Sequence, residues 1–170
     1  INYMKNNLVI GLLGHRNSGK SSTWNELFQR TVKTGTEIRR LYLTKSKYIE
    51  VFLVSGSPEE RYTYVGELIG DLKPRIILCS MQYITDVSQT INFFVDNDYF
   101  LYIQWLNPGY NDQNEIPHVD YLGLVAYMLS LDSSISIRSG KKNLKSRVQE
   151  IKNFLYGWAN SRNLICEEND

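Results

Sequence analysis

Along this chain, apolar residues fall into short unbroken runs that alternate with stretches of helical spacing. Leu8-Val9-Ile10-Gly11-Leu12-Leu13 is one such run, the pattern of a strand covered on both faces. After it, Trp24, Leu27 and Phe28 recur at helical intervals to about Thr31, so a helix beginning near Ser21 packs one side on a sheet. Residues 37–43 and 48–54 read as strands joined by the short turn Thr44-Lys45-Ser46-Lys47, which predicts an antiparallel hairpin. The charges of the first strand suit a sheet edge. A helix is expected over residues 58–71 with Val65, Leu68 and Ile69 inward, entered at Pro58-Glu59-Glu60, where a proline and acidic residues favour the start. Lys73-Pro74 breaks it, and residues 75–80 form a second doubly covered strand.

The alternation continues with a helix over 86–95, a strand over 99–105, a helix over 121–131 and a short strand over 134–137. In the last helix Leu144, Val148, Ile151, Leu155 and Trp158 step by four, three, four and three. This order predicts an α/β fold: one domain over residues 1–170, with a mainly parallel six-stranded sheet, one antiparallel edge strand and helices on both faces. Ligands are then expected at the carboxyl ends of the strands.

Composition narrows the reading. A chain of 170 residues buries a sizeable core without disulfides or a structural metal. Cys79, in an apolar run, and Cys166, in a polar tail, read as free thiols of a cytoplasmic protein. The apolar runs fall far short of the ~20 residues of a membrane helix, so no membrane insertion is expected. A net charge of +1 argues against a nucleic-acid partner. Lys141, Lys142, Lys145 and Arg147 form a local basic cluster, but no stacking aromatics are interleaved with it, which favours a solvated helix start.

The candidate chemistry lies directly after the first strand. Gly14-His15-Arg16-Asn17-Ser18-Gly19-Lys20-Ser21 has the spacing G-x-x-x-x-G-K-[ST] between a predicted strand and a predicted helix, the setting of a phosphate-binding P-loop. Gly14 and Gly19 let the backbone approach a polyphosphate, and the amides between them form an anion nest. Lys20 is expected on the β and γ phosphates and Ser21 on Mg²⁺, with Ser22 next in the first turn of a helix whose positive end faces the anion. His15 and Arg16 are expected to offer amides to the phosphate and point their side chains away. His118, without metal partners at ligand spacing, reads as structural.

With its hairpin strand second in sequence, this element order resembles the Ras-like small GTPases over nearly the whole chain, and a three-layer P-loop NTPase fold is what the resemblance implies. By the same resemblance, Thr36 or Thr34 closes over the γ-phosphate and Mg²⁺. The family's Asp-x-x-Gly is replaced by Ser55-Gly56-Ser57-Pro58, which removes a carboxylate anchor for Mg²⁺ and, at Pro58, an amide hydrogen. Glu59 follows where a water-orienting glutamine is usual, and is either a general base or a favourable first-turn residue. Asn-Lys-x-Asp is represented by Asn107-Pro108-Gly109-Tyr110, with Asp112 two residues late, and Ser-Ala-Lys by Ser139-Gly140-Lys141, where Lys141 is placed to stack on a base.

These features point to a divergent GTPase-like module that binds GTP or GDP with Mg²⁺, signals to a protein partner and hydrolyses weakly or not at all. ATP or ADP stays open as the nucleotide. An active GTPase or ATPase using Glu59 or Glu60 is the alternative, and a small-molecule kinase is disfavoured because no arginine-rich lid is visible. Tyr62, Tyr64, Tyr110 and Tyr121 lie near expected loop ends, either as partner contacts or as half-buried packing.

Overall fold

The computed structural model describes residues 4–168. β1 (Asn7–Gly14) runs through the middle of the sheet, parallel to β4 (Ile76–Gln82) on one side and β5 (Tyr99–Leu106) on the other. Beyond β4 lies β3 (Lys47–Val54), parallel to it, and then β2 (Arg39–Tyr42), antiparallel at the edge. Beyond β5 lies β6 (Ser133–Arg138), also parallel. The order is therefore β2-β3-β4-β1-β5-β6, and β4 stands between β3 and β1.

The sheet has seven strands where six were expected. The addition is β7 (Cys166–Glu167), which pairs antiparallel with the start of β3, Lys47 opposite Glu167 and Tyr48 opposite Cys166. β4 pairs with β3 only along Phe52, Leu53 and Val54, so the start of β3 leaves backbone groups open on that side. A two-residue strand carries no readable alternation, which is why the polar tail gave no sign of it.

Side chains of β1 alternate between the two faces. Leu8, Ile10 and Leu12 meet α1 (Lys20–Phe28) and α5 (Leu144–Asn160) through Trp24, Leu27, Val148, Ile151 and Leu155. Val9 and Leu13 meet α2 (Val65–Ile69), α3 (Val87–Asp96) and α4 (Leu124–Leu129) through Val65, Val87, Ile91, Phe94 and Met128. Both faces are covered, as the unbroken apolar runs require. Trp24, fully buried, places its indole N–H on Ser80 Oγ at 2.8 Å and so ties α1 to β4.

Two helices are shorter than their patterns suggested. Residues 58–62 form turns, with Tyr62 exposed at φ 51°, and α2 begins only at Val65, after Tyr64 in an extended conformation. α4 begins at Leu124 because the Asp120 carboxylate accepts the N–H groups of Leu124 at 3.0 Å and Val125 at 2.9 Å, closing the helix start there. Among the described residues, no helix is long and apolar enough to cross a membrane. Cys79 and Cys166 are both unpaired thiols.

Ile151 is fully buried on the packed side of α5, whereas Lys145 is exposed on the same helix. Ile151→Ala is expected to cost ~2–5 kcal/mol in urea unfolding and Lys145→Ala less than ~0.5 kcal/mol. Equal losses would contradict this packing.

Candidate functional site

Where β1 ends, the chain folds back on itself before entering α1. Asn17 (φ 58°) and Gly19 (φ 102°) adopt left-handed conformations there. A Cβ on Gly14 would lie 2.3 Å from Ser18 Oγ, so only glycine admits the inward Ser18. Gly19 begins α1 without a side-chain cap, leaving the first amides of the helix without a protein side-chain acceptor. Lys20, 6% exposed, curls over the loop and donates to the carbonyls of Gly14 at 3.1 Å and His15 at 2.8 Å, with Ser18 Oγ at 3.4 Å. Burial pushes its pKa down, while the charges of Glu60 and Glu59 pull it back up. Among the described residues, Lys20 forms no ion pair within 4 Å.

This loop borders an open cavity of about 480 Å³. Arg16 to Ser22, consecutive in sequence, make one wall; Ser55, Gly56 and Glu60 come from beyond β3, and Tyr110 and Asn111 from beyond β5. Of the residues singled out by sequence, Arg16, Asn17, Ser18, Gly19, Lys20, Ser21 and Ser22 thus share one surface, while Gly14 and His15 serve it by holding Lys20. Oxygen donors suited to a hard cation are present on the cavity wall in the Ser21 hydroxyl and the Glu60 carboxylate. Among the described residues, no three His, Cys, Asp or Glu side chains gather to hold a metal by themselves.

Thr36 lies elsewhere, on a separate surface pocket formed by residues 30–39. Thr34, the alternative, reaches the end of β3: its Oγ1 accepts the N–H of Ser55 at 3.0 Å and of Gly56 at 3.3 Å. Glu59 is 7% exposed and turns from the loop cavity toward a neighbouring one. Its carboxylate accepts from Thr90 Oγ1 at 2.5 Å and from the Gln82 N–H at 3.1 Å. Burial raises its pKa, and these two hydrogen bonds oppose the rise. Glu60, adjacent in sequence, is exposed and faces the loop cavity.

Asn107 does not line the cavity. It is 2% exposed, and its amide clasps the His118 backbone, accepting the N–H at 2.7 Å and donating to the carbonyl at 2.9 Å. Asp112 accepts the Gly109 N–H at 2.6 Å and pairs with His118 Nε2 at 3.0 Å. The segment then braces the loop from behind, with Tyr110 N–H on the Ser18 carbonyl at 3.0 Å and Asn111 N–H on the Asn17 carbonyl at 3.3 Å. Gly140 completes this support: its N–H reaches the Pro108 carbonyl at 2.7 Å, and a Cβ there would lie 2.3 Å from the Ser18 oxygen. Ser139 Oγ accepts the Lys141 N–H at 3.2 Å. The His15 ring sits edge-on to His118 and Tyr83, and its pKa is lowered by burial first and by the His118 and Lys20 charges after.

Arg147 belongs to the interior, not to a solvated basic cluster. It is 4% exposed and donates to Thr23 Oγ1 at 3.0 Å and Gln104 Oε1 at 3.3 Å, while Thr23 Oγ1 donates to the Gly19 carbonyl at 2.8 Å. Its position one residue before Val148, beside the apolar stripe, was the available signal. Lys142 and Lys145 are exposed as expected, Lys142 pairing with Glu115 at 3.0 Å. The sequence matches no protein-family model and no curated protein.

Since burial holds the Glu59 pKa above its ordinary 4.5, the native chain keeps that proton more tightly than the unfolded chain. Stability from this group is complete below the unfolded value and is lost as pH rises through the native one. Glu59→Gln should therefore gain on the wild type between acid and neutral pH in urea midpoints. A pH-independent difference would contradict the assignment.

Proposed function

We propose that the chain is a P-loop nucleotide-binding protein, a divergent relative of the Ras-like small GTPases. In this reading it binds a nucleoside triphosphate with Mg²⁺ through Gly14–Ser21 and acts as a nucleotide-dependent interaction module with weak or no hydrolysis. The observation that carries the reading is the buried, unpaired Lys20 ammonium on a cavity walled by consecutive loop residues at the carboxyl end of β1. A desolvated cation among backbone amides without side-chain acceptors favours an anion with several oxygens. On nucleotide entry, Lys20 exchanges the carbonyls of Gly14 and His15 for phosphate oxygens. Ser21 and phosphate oxygens would hold Mg²⁺, which supplies positive charge at the β and γ positions when bound.

Weak turnover follows from the carboxylates. Ser55 stands at the end of β3 where an aspartate anchor would be expected, and Glu59 is committed to Thr90 and Gln82. A slow hydrolase is the second reading, and one observation favours it: Glu60 lines the cavity beside Ser55 and Gly56, where it could orient water. A protein effector would meet exposed tyrosines, Tyr110 on the rim of this cavity and Tyr62 and Tyr64 on the neighbouring one, with Tyr121 also exposed.

Lys20→Ala is expected to weaken GTP and ATP binding by roughly 30- to 100-fold in calorimetric titration, the size of a lost charged hydrogen bond. Nucleotide should raise the melting temperature of the wild type and not of the variant. Unchanged affinity overturns the reading. Phosphate release that disappears in Glu60→Gln would establish the second reading in place of the inactive module.

A further inference from the structure

The segment after β5 brings to the cavity an exposed aromatic side chain on an anchored backbone. Tyr110 is 64% exposed, yet its backbone is tied down: its N–H is on the Ser18 carbonyl, and the neighbouring Asn111 N–H is on the Asn17 carbonyl. Its Cβ stands 3.7 Å from where a Cβ on Gly19 would lie, so the ring begins beside the loop and lines the cavity into which Lys20 faces. Among the described residues, the ring packs against no other aromatic and its hydroxyl makes no hydrogen bond. The anchored backbone fixes where this ring is attached, and with no partner of its own its face is free to stack on a ligand in the cavity.

The groups that would read the edge of a guanine are committed elsewhere. Both functions of the Asn107 amide are on the His118 backbone. The Asp112 carboxylate is shared between the Gly109 N–H and the His118 ring. Breaking either arrangement would release the segment that braces Ser18, so neither is available without disturbing the loop itself. What the cavity offers a base on this side is the π-face of Tyr110 and the exposed Asn111 side chain beside it.

We propose that Tyr110 is the platform on which the base of the bound nucleotide stacks, so that the site selects purine nucleoside triphosphates by stacking and discriminates little between guanine and adenine. This rests on the P-loop reading above. Stacking is tolerant of base identity because every base presents a π-face, and purines, having the larger face, gain most from it.

The test is competitive titration of the full chain with Mg²⁺ and ATP, GTP, CTP, UTP or inorganic tripolyphosphate, for the wild type, Tyr110→Ala and Tyr110→Phe. Tripolyphosphate reports the loop alone; the difference between it and a nucleotide reports the base and sugar. Tyr110→Ala should weaken ATP and GTP by about tenfold or more, Tyr110→Phe by less than about threefold, and tripolyphosphate should be unaffected by either. Wild-type ATP and GTP affinities should agree within about tenfold and exceed those of CTP and UTP. If tripolyphosphate binds and Tyr110→Ala leaves ATP and GTP unchanged, the platform is overturned while the loop stands. If GTP exceeds ATP by more than about a hundredfold, base-edge reading is restored and the proposal fails. If neither tripolyphosphate nor any nucleotide binds the wild type, the P-loop reading fails and this inference falls with it.

Discussion

The turn between β1 and α1 depends on the Lys20 ammonium being held by the carbonyls of Gly14 and His15. This buried ammonium is hydrogen-bonded only to neutral oxygens and feels Glu60 and Glu59 at longer range, so a bound anion would compensate its charge more directly. Ser18 can turn inward beneath it because Gly14 has no side chain, and Gly19 can turn the chain into α1 because it tolerates a positive φ. On the far side of that first turn, Arg147 places a second desolvated cation against Thr23, whose hydroxyl in turn holds the Gly19 carbonyl. The interior around the start of α1 therefore carries two cations without carboxylate partners within 4 Å among the described residues. That imbalance, more than the net charge of only +1, is what the proposed anion would relieve.

Support for the loop is concentrated behind it. Asn107 joins the end of β5 to His118, Asp112 closes the turn at Gly109, and Gly140 fits against the Ser18 carbonyl with no room for a side chain. These bonds link into one another through shared residues, so each limits the freedom of the next. Residues that resemble base-reading motifs thus serve mainly as a brace. The front of the cavity is different: Glu60, Tyr110 and Asn111 are exposed and can meet a ligand or a partner without disturbing the core.

The position of β4 shapes how the two sides meet. With β4 between β3 and β1, the residues after Val54 reach the loop across the end of an intervening strand. Thr34 fastens this approach by accepting the amides of Ser55 and Gly56. Thr36, two residues on and exposed, has no part in it. Glu59 and Glu60 divide at the same place, one toward Thr90 and Gln82 and the other toward the loop cavity.

Periodicity along the chain was enough to determine the α/β class, both covered faces of β1 and β4, the packed stripe of α5 and the strand-to-helix setting of Gly14–Ser21. Those features are local, because a run or a repeat of apolar positions records which sides of one element leave water. Tertiary structure alone decided that β4 separates β3 from β1, that β7 joins the sheet and that Asn107 is a brace. Each of these depends on which element lies alongside another, and residues far apart in sequence carry no mark of that until they pack. Adjacent residues such as Glu59 and Glu60 have the same chemistry, so only the turn that aims one inward and the other into the cavity separates their roles.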